Sequence, residues 1–148
     1  MIQAFSSPAA LAEALADAVA AALAARLARE DAAALAVSGG TTPVRFFQAL
    51  SAKSIDWPRV SVTLVDERWV PESSARSNAA LVKNHLLQGA AAQAAFVPLV
   101  NGAATPEAGL AGVEQAIAAL PLPFAAVVLG MGLDGHTASF FPGGDRLA

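Results

Sequence analysis

The sequence predicts an α/β fold, an open and mainly parallel sheet with helices on both faces, formed as one domain over residues 1–148. Three observations lead there. Short apolar runs of strand length alternate with longer amphipathic runs of helical period along the chain. Proline follows a capping residue at Ser7-Pro8, Thr42-Pro43 and Thr105-Pro106, each at the start of a helical run. Three of the apolar runs end in loops rich in glycine or charge, Ser38 to Pro43, Asp66 to Pro71 and Gly130 to Gly143, as expected where a parallel sheet delivers its loops to one edge.

A chain of 148 residues suits a single core, which removes about two-thirds of the unfolded chain's surface from water. The 55% hydrophobic and 14% charged content argues against disorder, and a net charge of −3 argues against a nucleic-acid surface built on bulk positive charge. There is no cysteine, which excludes disulfides and thiolate chemistry. With only two histidines, a histidine-built metal site is not expected. The apolar N-terminal segment carries Glu13, Asp17, Arg26 and Arg29 and has no basic region before it, so a helix packed in a cytoplasmic protein is expected rather than a signal peptide or a membrane span.

In chain order, Leu11, Leu15, Val19, Ala22 and Leu23 recur at helical spacing and predict a helix from Pro8 to about Glu30, covering one face of the sheet. Ala33 to Val37 is a short buried strand. Val44 to Ala52 is a helix, Val60 to Val65 a strand, and Ala79 to Leu87 a helix capped by Ser77 or Asn78. Ala95 to Val100 is a further strand. Leu110, Val113, Ile117 and Leu120 define a helix from Pro106, ended by Pro121 and Pro123. Phe124 to Leu129 has the character of a strand buried on both faces. His85 falls on a helix beside Lys83 and Asn84 and reads as a surface residue.

The chemistry concentrates in the three loops. In Ser38-Gly39-Gly40-Thr41-Thr42-Pro43, the glycines permit close backbone approach, Thr42 can cap, Pro43 suits the first helical turn, and free amides at a helix start can receive an anion such as a phosphate. A capped turn without ligand is the alternative. No Gly-Lys-Ser/Thr occurs, so this is not a nucleotide-hydrolysing loop. Asp66-Glu67-Arg68 offers a carboxylate pair and a guanidinium suited to a polyhydroxylated anion; a solvated ion pair would explain the same letters. Gly130-Met131-Gly132-Leu133-Asp134-Gly135-His136 places a histidine after a glycine turn with a carboxylate two residues away, a pair fit for proton transfer. Its G-x-G-x-x-G letters also invite a dinucleotide-binding reading, but no acidic ribose ligand follows about 20 residues later.

The segment Gly130 to Gly143 closely resembles the glycine-aspartate-glycine-histidine motif of the 6-phosphogluconolactonases, relatives of the glucosamine-6-phosphate deaminases. Ser38 to Pro43 and Asp66 to Pro71 resemble two further motifs of that family, in the same order. Ser77-Asn78 falls where the family has a Ser-Asn pair. The resemblance spans essentially the whole chain, implies a Rossmann-like sheet, and implies that the family's chain continues past Ala148, this sequence corresponding to its front portion. The implied reaction is hydrolysis of 6-phospho-D-glucono-1,5-lactone in the pentose phosphate pathway, with a phosphorylated sugar lactone as the small-molecule partner and with no cofactor, metal, nucleic acid or membrane.

On that resemblance, His136 acts as general base held by Asp134, Arg68 or the Gly130 to Gly135 amides stabilise the oxyanion, and Asp66 orients the sugar. Ser38, Gly39, Gly40, Thr41, Thr42 and Gly132 bind the substrate and its phosphate. The deaminases are similar but carry glutamate where Phe141 stands and an aromatic residue where Arg68 stands, which leaves deamination, and a non-catalytic sugar-phosphate module, as the alternatives.

Overall fold

The computed structural model describes residues 2–144 and 147. Helix α1 (Pro8–Leu27) begins where the Ser7 side chain accepts the Ala10 amide at 3.1 Å, with Pro8 in the first turn. Its Ala12, Ala16, Val19, Leu23 and Leu27 recur every three or four residues and are buried together, which accounts for a 20-residue helix of mean hydropathy 1.5 without invoking lipid. It stops short of the expected Glu30. Arg59 fixes the turn that follows by donating to the carbonyls of Leu27, Glu30 and Asp31 at 3.0, 2.7 and 2.8 Å.

The strands are β1 (Ala33–Val37), β2 (Val60–Leu64), β3 (Ala95–Val97) and β4 (Ala126–Val128), and the helices between them are α2 (Val44–Ser51), α3 (Asn78–His85) and α4 (Pro106–Ala118). All strand pairs are parallel, in the spatial order β3-β2-β1-β4. Leu35 lies opposite Val62 and Ala126, so one side chain in two from each strand points to the same face. On that face Leu35, Val37 and Val62 share one core with Phe46, Phe47 and Leu50 of α2, Ala79 and Val82 of α3 and the α1 stripe. Each fully buried Leu or Phe there contributes about 1.5–3 kcal/mol.

From β1 the chain steps outward through α2 and α3 to β3, and then α4 carries it back across the sheet to β4. A right-handed crossover in that reversed direction places α4 on the opposite face. The expected parallel α/β sheet is therefore present, and the order reverses between β1 and β4. Such a switch point opens a crevice at the carboxyl ends of the two strands, because their loops diverge to opposite sides.

Several local expectations differ from the structure. β4 is not buried on both faces: among the described residues it pairs only with β1, and Val127 is 49% exposed. An apolar run cannot distinguish a strand covered on both faces from one that is partly exposed. Leu110 of α4 is 54% exposed, and the helix buries only Gly109 along its length, with Leu120 buried just beyond it. Thr42 does not cap α2. Pro43 already has helical dihedrals and occupies the capping position with no side-chain hydrogen bond, which leaves Thr42 outside the helix.

Candidate active site

A cavity of about 480 Å³ lies at the switch point. Its walls combine the loop after β1 (Ser38, Gly39, Gly40, Thr42), the loop after β2 (Asp66, Arg68), the end of β4 with its loop (Val128 to Gly132, His136, Ala138), Arg45 of α2 and Asn78 of α3. Pro8, Leu11 and Leu15 of α1 close one side, so the first helix forms a wall of the site as well as covering the sheet. His85 does not contribute.

The loop after β1 is held at its base, where Ser38 donates to the Val128 carbonyl at 3.1 Å, and then leaves its backbone open. The amides of Gly39, Gly40, Thr41 and Thr42 have no acceptor among the described residues. Gly40 has φ of +93°, a conformation that L side chains rarely adopt, while a Cβ at Gly39 would overlap the Asn78 carboxamide. Four consecutive donors without an acceptor among the described residues, at a helix entrance and with the Arg45 guanidinium in the next turn, have the chemistry to receive an anion.

The loop after β2 is anchored differently. Glu67 turns its carboxylate onto the start of α3, accepting from the amides of Asn78 at 2.9 Å and Ala79 at 2.7 Å and from the Ser77 hydroxyl at 3.4 Å. It also accepts its neighbour Arg68's amide at 2.8 Å. Both oxygens are thereby engaged, so Glu67 holds the fold at a helix N-terminus rather than presenting a base to the cavity. Asn78, 2% exposed, donates to the Asp66 carbonyl at 3.0 Å and accepts from Arg68 Nη1 at 3.4 Å. The same Nη1 donates to the Arg76 carbonyl at 2.9 Å.

In the loop after β4, His136 Nδ1 lies 2.5 Å from Asp134 Oδ1, and the same oxygen accepts the His136 amide at 3.3 Å. The hydrogen bond from the ring, and after it the bond from the backbone, hold the Asp134 carboxyl below the ordinary carboxylate range. With Nδ1 directed to a carboxylate, the neutral ring keeps its proton there and leaves Nε2 as the acceptor. The ring stacks on Phe141, centroids 4.8 Å apart. Gly132 makes room: a Cβ there would run into the His136 ring and the Asp134 carboxylate. Its amide donates to the His136 carbonyl at 2.8 Å, and Gly135 donates to the Gly132 carbonyl at 2.9 Å, so neither is free to meet a ligand in this arrangement.

Of the residues singled out by sequence, Ser38, Gly39, Gly40, Thr42, Asp66, Arg68, Gly132 and His136 line one cavity. Thr41 and Asp134 do not; Asp134 reaches it through His136. Arg45 and Asn78 were not among the expected site residues. Arg45 had a signal, since a cation in the first turn of a helix opposes the dipole and calls for an anion nearby. Asn78 had its place beside a helix cap and its match to the Ser-Asn pair of the family it resembles. Among the described residues no group of three or more histidine or acidic side chains could hold a metal ion.

Fold and site define a doubly wound α/β protein with an anion-receiving loop and a histidine–aspartate pair facing each other across a switch-point crevice. The chain belongs to the family of glucosamine-6-phosphate isomerases and 6-phosphogluconolactonases, whose model matches residues 6–148. It is 57% identical over 143 residues to a 6-phosphogluconolactonase of Rhizobium meliloti, covering 97% of this chain and 62% of the relative. It is 49% identical over 141 residues to one of Pseudomonas aeruginosa, covering 95% and 59%. A crystal structure of a 6-phosphogluconolactonase from Shewanella baltica superposes with a TM-score of 0.90 at 47% identity, over 93% of this chain and 59% of that one. The chain thus spans about three-fifths of the length of these relatives.

Proposed function

We propose that the protein hydrolyses 6-phospho-D-glucono-1,5-lactone to 6-phosphogluconate, a step of the oxidative pentose phosphate pathway, in the cytoplasm. The observation that carries this reading is that one cavity is lined both by Gly39, Gly40 and Thr42, whose amides have no acceptor among the described residues, and by a histidine paired to a carboxylate. The names of the relatives support it.

In the proposed mechanism the 6-phosphate sits on the Gly39 to Thr42 amides with Arg45 beside it, fixing the distance to the lactone carbonyl. His136 Nε2 takes a proton from water as the water oxygen bonds to the carbonyl carbon. The resulting oxyanion is stabilised by Arg68 or by the Gly130 and Met131 amides, and its collapse breaks the bond to the ring oxygen, which leaves with the proton returned by the His136 imidazolium. General-base assistance supplies about 10² to 10⁴ in rate and an oxyanion donor about 10² to 10³. Asp134 keeps the imidazole in the required tautomer and stabilises the imidazolium that forms, and Asp66 meets sugar hydroxyls.

The test is lactone hydrolysis by the full-length protein, followed by proton release and corrected for the spontaneous reaction, with glucosamine 6-phosphate as the competing substrate. Turnover of the lactone without ammonia from the amino sugar is expected. Ammonia release without lactonase activity would transfer the site to the deaminases, and tight binding with neither reaction would make it a binding module.

A further inference from the structure

We infer that Asn78 is a positioning residue that sets the Arg68 guanidinium and couples the loop after β1 to the loop after β2; this rests on the lactonase reading above. The starting point is that its carboxamide is used at both ends. Nδ2 donates to the Asp66 carbonyl at 3.0 Å, and Oδ1 accepts from Arg68 Nη1 at 3.4 Å, a division that only an amide of this reach provides. The side chain is 2% exposed, so neither bond is easily replaced by water. It also lies against Gly39, where any Cβ would overlap it, so the backbone of the anion-receiving loop rests on the same group that holds Arg68.

The amide does not find this place by its own contacts alone. Glu67 grips the Asn78 and Ala79 amides and the Arg68 amide together, so one carboxylate fixes the origin of α3 and the backbone of the residue that Asn78 orients. Arg68 itself is exposed, and a long cationic side chain on a surface loop samples many rotamers. Two acceptors on a single nitrogen, the Arg76 carbonyl and Asn78 Oδ1, restrict it and leave its other donors for a ligand.

A group that acts through Arg68 has a signature that packing alone lacks. In the full-length enzyme, Asn78→Ala is expected to lower kcat/KM about 10-fold and Arg68→Lys about 10- to 100-fold, while the double variant falls no further than Arg68→Lys alone. Losses that multiply would overturn the inference. Because truncation of a buried side chain can unfold a protein, two variants of similar volume provide a second reading. Asn78→Asp keeps an acceptor for Arg68 but sets an oxygen against the Asp66 carbonyl, whereas Asn78→Leu loses both bonds. Activity in the order wild type, Asn78→Asp, Asn78→Leu is expected; Asn78→Leu equal to or better than Asn78→Asp would show that the position only fills space. Wild-type lactonase activity is measured in the same series, so loss of the functional reading is distinguished from loss of the role of Asn78.

Discussion

The loop after β1 and the loop after β4 face the same cavity and use their backbone amides in opposite ways. After β1, which is buried along its whole length, Gly39 to Thr42 present four donors without acceptors among the described residues. After β4, a half-exposed strand, Gly132, Gly135, His136, Thr137 and Phe140 all donate within the loop itself. The first loop takes its rigidity from neighbours, with Ser38 tied to β4 and Gly39 set against Asn78, and keeps its backbone for a ligand. The second builds its own shape through bonds within the loop and presents a side chain. The proposed division between binding and proton transfer therefore falls on two structures that can be damaged separately.

The sharpest break in that comparison is His136→Asn in the full-length protein, expected to lower kcat by about 10² or more while KM for the phosphorylated lactone stays within a few-fold. The anion-receiving loop is untouched by the change, so ground-state binding survives and only the acceptor needed as water attacks is lost. Steady-state hydrolysis with a thermal melt checks it. Near-normal kcat in a folded variant would remove His136 as base and leave Asp66, since the Glu67 oxygens are engaged at α3.

Next in size is Gly132→Ala. The added Cβ overlaps the His136 ring and Asp134 carboxylate, forcing the pair to shift, and a misplacement on the order of 1 Å can cost about 10²-fold in rate. A fall in kcat of roughly 10- to 100-fold with KM little changed is expected. Gly40→Val tests the other loop. Its Cβ would meet open space, so the damage comes from φ of +93°, which a β-branched residue rarely adopts. The loop must refold and rotate its amides, so binding of the phosphorylated sugar should weaken about 10-fold while its unphosphorylated analogue binds as before. Calorimetry with both ligands decides between this and a general loss.

How much of this was legible in the sequence follows the same division. β1 was readable to the residue and α1 at its start, because Ser7-Pro8 and a wholly apolar pentapeptide are local signals. The three loops were readable because glycine, proline and charge punctuate the ends of strands. The partial exposure of β4 was not, since burial depends on what packs against a strand and not on its own letters. The Glu67–Asn78–Arg68 network was likewise hidden: its members are 10 and 11 residues apart, on different elements, and no periodicity connects a loop carboxylate to the start of a later helix. Asp66, Glu67 and Arg68 were adjacent in sequence with three similar claims to function, and only geometry separates the carboxylate that caps a helix from the residues that line the cavity.

The smallest effect expected is on acid stability, at Asp134, where turnover changes as well. The ring and backbone of His136 hold this carboxyl below its ordinary value of 3.8, so the folded state binds the proton less readily than the unfolded chain does. The pair's contribution to stability is then fully present above that ordinary value and is lost as the pH falls through the depressed folded value. At 61% exposure the side chain is well screened by water, and the resulting change in melting temperature should be small. Asp134→Asn should therefore fall slightly below the wild type at neutral pH, with the gap narrowing as the pH falls below 3.8. It should also lower kcat about 10-fold or more, because the amide no longer fixes the tautomer with Nε2 free. Melts across the acid range beside kcat at neutral pH separate the two effects. A variant with an unchanged acid limb and unchanged kcat would mean that the loop after β4 holds His136 through its backbone alone.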